Sequence, residues 1–232
     1  MAWQIGITAS PSYVIPYNAS ISPVRFVKYF KLEPSFGTSA SVLVSKNLNK
    51  HFQIEAGIGY SECRYKSVYA LGTGRVNNPN DPIYQDFIAE KRVDSRLDYF
   101  QIPIRVNYLA GKGRVKFIGS IGVSPAWVVS RINTLSEIFT QAMYDYYLEP
   151  EKEKKADFNL FGEAGLGVIF QTSARVSFQL VARYSYGFIK FEQNELFRIY
   201  NPKTKEREEN AVYNPGISAL GLSLGCFFRF SQ

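Results

Sequence analysis

Seven segments of this chain alternate apolar and polar residues with a strict period of two, and at three places a short turn leads from one segment into the next. The clearest pair is Phe158, Leu160, Gly162, Ala164, Leu166, Val168, Phe170 and, after Thr172-Ser173, Val176, Phe178, Leu180, Ala182, Tyr184, Tyr186, Phe188. A strand sends alternate side chains to opposite faces, so each segment has one apolar face and one polar or small face. The apolar faces run about 9–11 residues with aromatics at both ends, the length a tilted strand needs to cross a bilayer. The expected fold is all-β: an eight-stranded antiparallel up-and-down transmembrane β-barrel.

Eight strands can be laid down. The first covers Trp3–Ala9 and the second Pro34–Lys46. The third starts at Phe52 and continues to about Tyr69, with a change of phase near Glu62 that fits a bulge or departure from the bilayer. The fourth carries Phe100, Ile102, Ile104, Val106 and Tyr108. The fifth runs from Val115 to Val129, where Pro125 marks a bulge or a locally unpaired position. The pair above supplies the sixth and seventh, and Ile217–Phe230 the eighth. Connections alternate between short turns and long loops. That asymmetry matches bacterial outer-membrane barrels, with periplasmic turns and extracellular loops.

Composition narrows the choice. The 232 residues fit one domain over 1–232. The 18 Phe and 16 Tyr suit two aromatic girdles, and no run of 18 apolar residues offers a transmembrane helix. The net charge of +7 is dispersed rather than gathered in a basic stripe, which argues against nucleic-acid binding. Arg64, Lys66, Arg92, Arg96, Arg131 and Lys190 fall near the outer rim, where they would meet anionic lipid headgroups. Cys63 and Cys226 sit at different heights, so no disulfide is expected. No signal peptide is visible at the first residues; an outer-membrane location implies a leader already removed.

The segment Asp98-Tyr99-Phe100-Gln101-Ile102-Pro103-Ile104-Arg105-Val106-Asn107-Tyr108 resembles the Bacteroidetes-type outer-membrane β-barrel family, the PorT-like group, which carries an aromatic-x-x-Ile/Leu-Pro-Leu/Ile strand at this place. Gly162-Glu163-Ala164-Gly165-Leu166-Gly167 and the ending Gly225-Cys226-Phe227-Phe228-Arg229-Phe230 look like the same family. The resemblance implies an eight-stranded outer-membrane barrel and brings no catalytic residues with it.

The chemistry-bearing residues are few. The single histidine, His51, falls at a periplasmic turn, the wrong end for the outer-rim sites of barrel hydrolases. There is no Cys/His cluster for zinc and no Gly-rich phosphate loop, so neither enzyme activity nor a cofactor is expected. The inward charges are more informative. A hairpin centred on Thr172–Ala174 sets Glu163 opposite Arg183, and Glu55 and Arg105 fall at similar depth on adjacent strands. Unpaired charges in a dry lumen are costly, so Glu55, Arg105, Glu163 and Arg183 are expected to pair. They would act as a plug that fixes register or as a gate for small solutes. In the third outer loop Thr134-Leu135-Ser136-Glu137 reads as a capping box. Leu135, Ile138, Phe139, Met143 and Tyr146 follow at helical spacing, a partner-binding amphipathic helix or a lid.

These readings converge on a non-enzymatic barrel of the outer membrane that contacts lipid and binds other envelope proteins in a secretion, assembly or uptake complex. Two alternatives stand beside it. One is a narrow channel or small-ligand carrier with a polar lumen; the other is a soluble lipocalin-like binder whose apolar faces line an interior cavity.

Overall fold

The computed structural model describes residues 3–17, 27–72, 88–137, 148–149, 154–155, 157–189, 192–200, 207–213 and 216–230. They form β1 (Trp3–Tyr17), β2 (Val27–Asn47), β3 (Phe52–Gly72), β4 (Ile88–Gln101), β5 (Ile104–Ala110), β6 (Val115–Glu137), β7 (Leu148–Glu149), β8 (Lys154–Lys155), β9 (Phe158–Gln171), β10 (Val176–Gly187), β11 (Glu192–Tyr200), β12 (Arg207–Tyr213) and β13 (Gly216–Phe230).

Nine of these close a ring, because β1 pairs with both β2 and β13, and the remaining antiparallel pairings run round to meet them. The nine make eight staves. β4 and β5 lie end to end between β3 and β6, interrupted at Ile102 and Pro103. Proline has no N–H to give the ladder. The Ile102 amide bonds Pro125 O at 2.9 Å and the Gly57 amide bonds Pro103 O at 3.1 Å, so the stave holds across the gap. Pro125 itself stays in register opposite Leu160. The irregularity in β6 lies further on, at Val129, the residue left over where Asp98 faces Ser130 and Tyr99 faces Val128.

One row of partners fixes the barrel's stagger. From Thr8 it runs through Ser41, Gly59, Gln101 and Ala126 to Asn159; the other way it runs through Gly225 and Gln179 to Ile169. The two ends meet β9 at residues 159 and 169, a stagger of ten residues. For eight staves at normal strand spacing this corresponds to a tilt of about 40°.

The apolar faces point outward. Leu166 is 74% exposed, Ile121 68% and Phe117 65%, while Glu55 inside is 0% exposed. A soluble ligand-binding barrel would need the reverse, so that alternative is excluded. Aromatics edge the outer apolar face. Trp3, Phe52, Tyr108, Phe117, Phe170, Phe178 and Phe228 lie toward the turns, and Tyr13, Phe36, Tyr60, Phe100, Trp127, Phe158 and Tyr184 toward the loops. At the tilt above, the ten residue steps from Trp3 to Tyr13 cover roughly 25 Å, the height of an outer-membrane apolar band.

The strands overshoot that band. β1 continues to Tyr17 and β2 begins at Val27, leaving nine residues between them; β4 begins at Ile88 and β6 reaches Glu137. The change in alternation near Glu62 fits departure from the bilayer: β3 keeps its facing and the chemistry changes sides, with a register shift opposite it in β2 between Pro34 and Thr38. Cys63, Tyr65 and Ser67 are buried inside while Arg64 and Lys66 are exposed outside. Above the lipid the outer wall meets water, so the apolar residues move in and the charges move out.

The loop-helix expectation fails at its start. Thr134–Glu137 belongs to β6 and pairs with β4, Thr134 facing Asp94 and Leu135 facing Val93. The extended β4 offers these backbone groups a ladder, and a capping box competes with it poorly. Ile138, Phe139, Met143 and Tyr146 lie outside the described residues. The outer connections also form a small sheet, in which β11 pairs with β12, β7 and β8.

Candidate functional site

The inward faces of β3, β5, β9 and β10 converge on one cluster of charges. Glu55 and Arg105 are direct ladder partners on β3 and β5, and Arg105 Nη1 donates to Glu55 Oε1 at 2.9 Å. Arg105 Nε donates to Glu163 Oε2 at 2.5 Å, and Ser124 Oγ donates to Glu163 Oε1 at 2.6 Å. Arg183 stands further off, with Nη2 3.8 Å from Glu55 Oε1 and Nη1 3.5 Å from Ser120 Oγ. Two guanidiniums and two carboxylates give a formally neutral cluster, which is what a dry lumen requires.

The expected pairing of Glu163 with Arg183 needs correction. The β9–β10 register is centred on Ala174, so Glu163 faces Ser185 and Arg183 faces Gly165. The partner of Glu163 is Arg105, one stave beyond β6. Between them in the row is Gly122, opposite Arg105 on one side and Glu163 on the other. A Cβ there would lie 2.7 Å from Arg105 Cγ, so the glycine is what lets the arginine cross. Sequence reading missed both Gly122 and Ser124; their signal was two small residues on the inward face of a strand whose neighbours carry opposite charges.

Polar residues extend the cluster toward the turns. Asn107 Nδ2 donates to Gln53 Oε1 at 3.1 Å, and Gln53 Nε2 donates to Ser45 Oγ at 3.2 Å. Below them Leu109, Ile118, Ile169 and Val181 form a buried apolar cluster. On the loop side a cavity of about 70 Å³ lies between the charges and hydroxyls such as Ser10, Ser39, Ser41 and Ser223. Above it a second apolar layer forms from Val14, Cys63, Tyr65, Leu97, Tyr99, Ala126, Phe161 and Ile217. Within that layer Tyr99 stacks on Phe161 at 5.4 Å, and Cys63 Sγ lies 3.2 Å from Tyr99 Oη. Cys63 and Cys226 are both free thiols.

Of the six basic residues expected near the outer rim, four have carboxylate neighbours. Arg64 Nε lies 2.6 Å from Glu62, Arg96 bonds Glu62 at 3.0 Å and Asp98 at 2.9 Å, and Lys66 lies 3.5 Å from Asp94. Arg131 lies 3.7 Å from Asp157. Of these pairs Lys66–Asp94 is exposed on both sides, and a pair of that kind contributes about 0–1 kcal/mol. Lys190 lies outside the described residues.

His51 is exposed at the β2–β3 turn, its ring stacked on Tyr108 at 5.9 Å and Nδ1 3.2 Å from Leu109 O. Those contacts are with a phenol ring and a backbone carbonyl, neither of which activates a catalytic base. Among the described residues no group of three His, Cys, Asp or Glu side chains is arranged to hold a metal ion.

Comparison with known proteins agrees with this architecture. A family model described as the outer membrane protein beta-barrel domain matches residues 1–193. Among solved structures, the outer membrane protein OprG from Pseudomonas aeruginosa is similar over 100% of this chain and 97% of its own, at 12% identity and a TM-score of 0.53. Neisserial surface protein A (NspA) is 13% identical over 98% of this chain and 97% of its own, with a TM-score of 0.45. The outer membrane protease OmpT from Escherichia coli is 8% identical over 99% and 97%, with a TM-score of 0.42. At such identities the likeness concerns the fold alone. No curated protein matches the chain in sequence. Ring closure, outward apolar faces and the family match over most of its length show that the chain belongs to the outer membrane protein β-barrel domain family and is a β-barrel of the bacterial outer membrane.

Proposed function

We propose that this barrel is a non-enzymatic structural or accessory subunit of an envelope complex, folded as one domain over residues 1–232 and engaging other outer-membrane or envelope proteins through its loops and outer wall. The observation that carries this reading is the filled lumen: buried apolar clusters lie on both sides of the charges, and the cavity beside the charges is about 70 Å³. Eight staves enclose little more than their own side chains, so the surfaces left for function are outside. Two features support contact through the loops. The strands carry the barrel beyond the lipid, and β12 pairs only with β11 among the described residues, leaving a strand edge that a partner strand can extend. The aromatic-x-x-Ile-Pro-Ile segment ending Ile102-Pro103-Ile104 supports a place in the Bacteroidetes-type, PorT-like branch. Secretion, assembly and uptake machines are equally compatible.

The test is in-membrane crosslinking followed by affinity capture of the full chain from native outer membranes. Recovery of a stoichiometric envelope protein supports the reading, and recovery of the barrel alone under the same crosslinking counts against it. The second reading, a narrow channel, draws on Arg183, which borders the cavity and is held less closely than Arg105. Planar bilayers test it with wild type and Arg183→Ala. The filled-lumen reading expects both to be silent, and single-channel steps in either would favour the channel.

A further inference from the structure

The periplasmic end has a charge pattern that neither the lumen nor the outer rim explains. Lys46, Lys50, Lys112, Arg114, Lys116, Arg175 and Arg229 all fall in the turns or on the strand ends beside them, and no Asp or Glu occurs in residues 3–6, 43–54, 107–119, 168–180 or 223–230. The chain's other 20 basic residues are balanced by its 20 acidic ones, so the whole net charge of +7 resides on this rim.

A second observation singles out one sector. On the lipid-facing wall next to the β5–β6 turn is an open apolar depression of about 520 Å³, lined by Tyr108, Ala110, Phe117, Gly119, Leu166 and Val168. It exists because Gly119 sits between Tyr108 and Leu166 in one row, where every flanking stave contributes a large side chain. The row below, Ala110 to Phe117, is the last pair of the ladder; the chain then turns through Gly111 and Gly113, both in the left-handed region at φ 110° and 83°. That turn, which joins the depression's Ala110 to its Phe117 along the chain, leaves Lys112 and Arg114 exposed to solvent.

We propose that this sector is a binding site for an anionic glycerophospholipid of the periplasmic leaflet, one acyl chain lying in the Gly119 depression and the phosphate meeting Lys112 and Arg114. The chemistry is complementary at both ends: apolar length in the band, then two cations at headgroup level with no carboxylate competing for them. The rest of the basic rim raises the local concentration of the same lipids.

The full chain, folded into nanodiscs of phosphatidylcholine doped with phosphatidylglycerol and then extracted in mild detergent, is read by native mass spectrometry. Heat-modifiable gel migration confirms that each variant is folded. Wild type is expected to retain phosphatidylglycerol over phosphatidylcholine. Lys112→Gln with Arg114→Gln lowers that preference by roughly fivefold per cation. Gly119→Trp fills the depression without entering the wall, since a Cβ there meets only Leu166 Cδ2 at 3.7 Å, and lowers retention of both lipids. A folded double variant with wild-type preference, or a folded Gly119→Trp that keeps wild-type lipid occupancy, overturns the site. Displacement of the lipid by soluble glycerol phosphate alone would overturn the groove's part in it.

Discussion

Arg105 on β5 and Glu163 on β9 share a 2.5 Å ion pair although β6 runs between their strands, and the residue lying between them in the row is Gly122. The pair therefore clamps three staves rather than two. With Glu55, the ladder partner of Arg105 on β3, the guanidinium ties four of the eight staves together.

Removing that guanidinium should be among the most damaging single changes in the lumen. Arg105→Ala leaves Glu163 without its ion-pair partner and Glu55, which is 0% exposed, with only Arg183 at 3.8 Å, and the expected loss is about 3–5 kcal/mol. Adding Glu163→Gln to Arg105→Met should restore much of it, because Glu55 then keeps Arg183 at 3.8 Å and the cluster is neutral again. Urea unfolding in lipid vesicles measures both, and a double variant no more stable than the single one would contradict the account.

Gly122 and Gly119 lie three residues apart on the same strand and predict opposite outcomes. A Cβ at Gly122 would come 2.3 Å from Ile104 O and 2.7 Å from Arg105 Cγ, so Gly122→Ala should cost about 1–3 kcal/mol. Gly119 opens onto the lipid side, and Gly119→Ala should stay within about 0.5 kcal/mol of wild type. Equal effects in the same unfolding assay would mean that the inward and outward faces of β6 are misassigned.

The amide of Gln179 is 3% exposed, and neither its Oε1 nor its Nε2 has a hydrogen-bond partner in the protein. A buried unpaired amide is a liability that an apolar side chain of similar length removes. Gln179→Met is expected to leave stability unchanged or raise it by about 1–2 kcal/mol. A loss larger than about 1 kcal/mol would show that the amide is satisfied by an internal water.

The two thiols report on the two sides of the wall. Cys63 is buried in the loop-side apolar layer, and Cys226 lies on the outward face between Leu224 and Phe228. A membrane-impermeant maleimide should label neither in the folded barrel and both after unfolding in urea. An environment-sensitive fluorophore attached to Cys226 before folding should emit as in lipid and be quenched by spin-labelled phospholipid. The same fluorophore on Cys63 should block folding, because the site is only 2% exposed. Quenching of Cys226 by an aqueous quencher instead would place that face of β13 in water.

Much of the barrel was legible in the residues. Strict alternation from Phe158 to Phe170 and from Val176 to Phe188 identified neighbouring strands and their faces, and the inward placement of Glu55 beside Arg105 followed from the short β2–β3 and β5–β6 turns. Errors arose where a small shift changes the neighbour. The β9–β10 register is centred one residue beyond the expected point, which moves Arg183 from Glu163 to Gly165. Thr134–Glu137 carries a helix-start pattern, yet it is strand because β4 extends far enough to pair with it. A local pattern of four residues does not record how long a strand elsewhere in the chain will be.

The sequence by itself determined that the chain forms strands with one apolar and one polar face, where they turn, and which end holds the turns, because those properties depend on residues close together along the chain. Only the tertiary structure decided that Arg105 reaches Glu163 past Gly122, and that Gln101 and Asn159 come to one height across Ala126. These depend on the ten-residue stagger with which the ring closes. That closure brings distant residues to the same height, and no period along the chain encodes it.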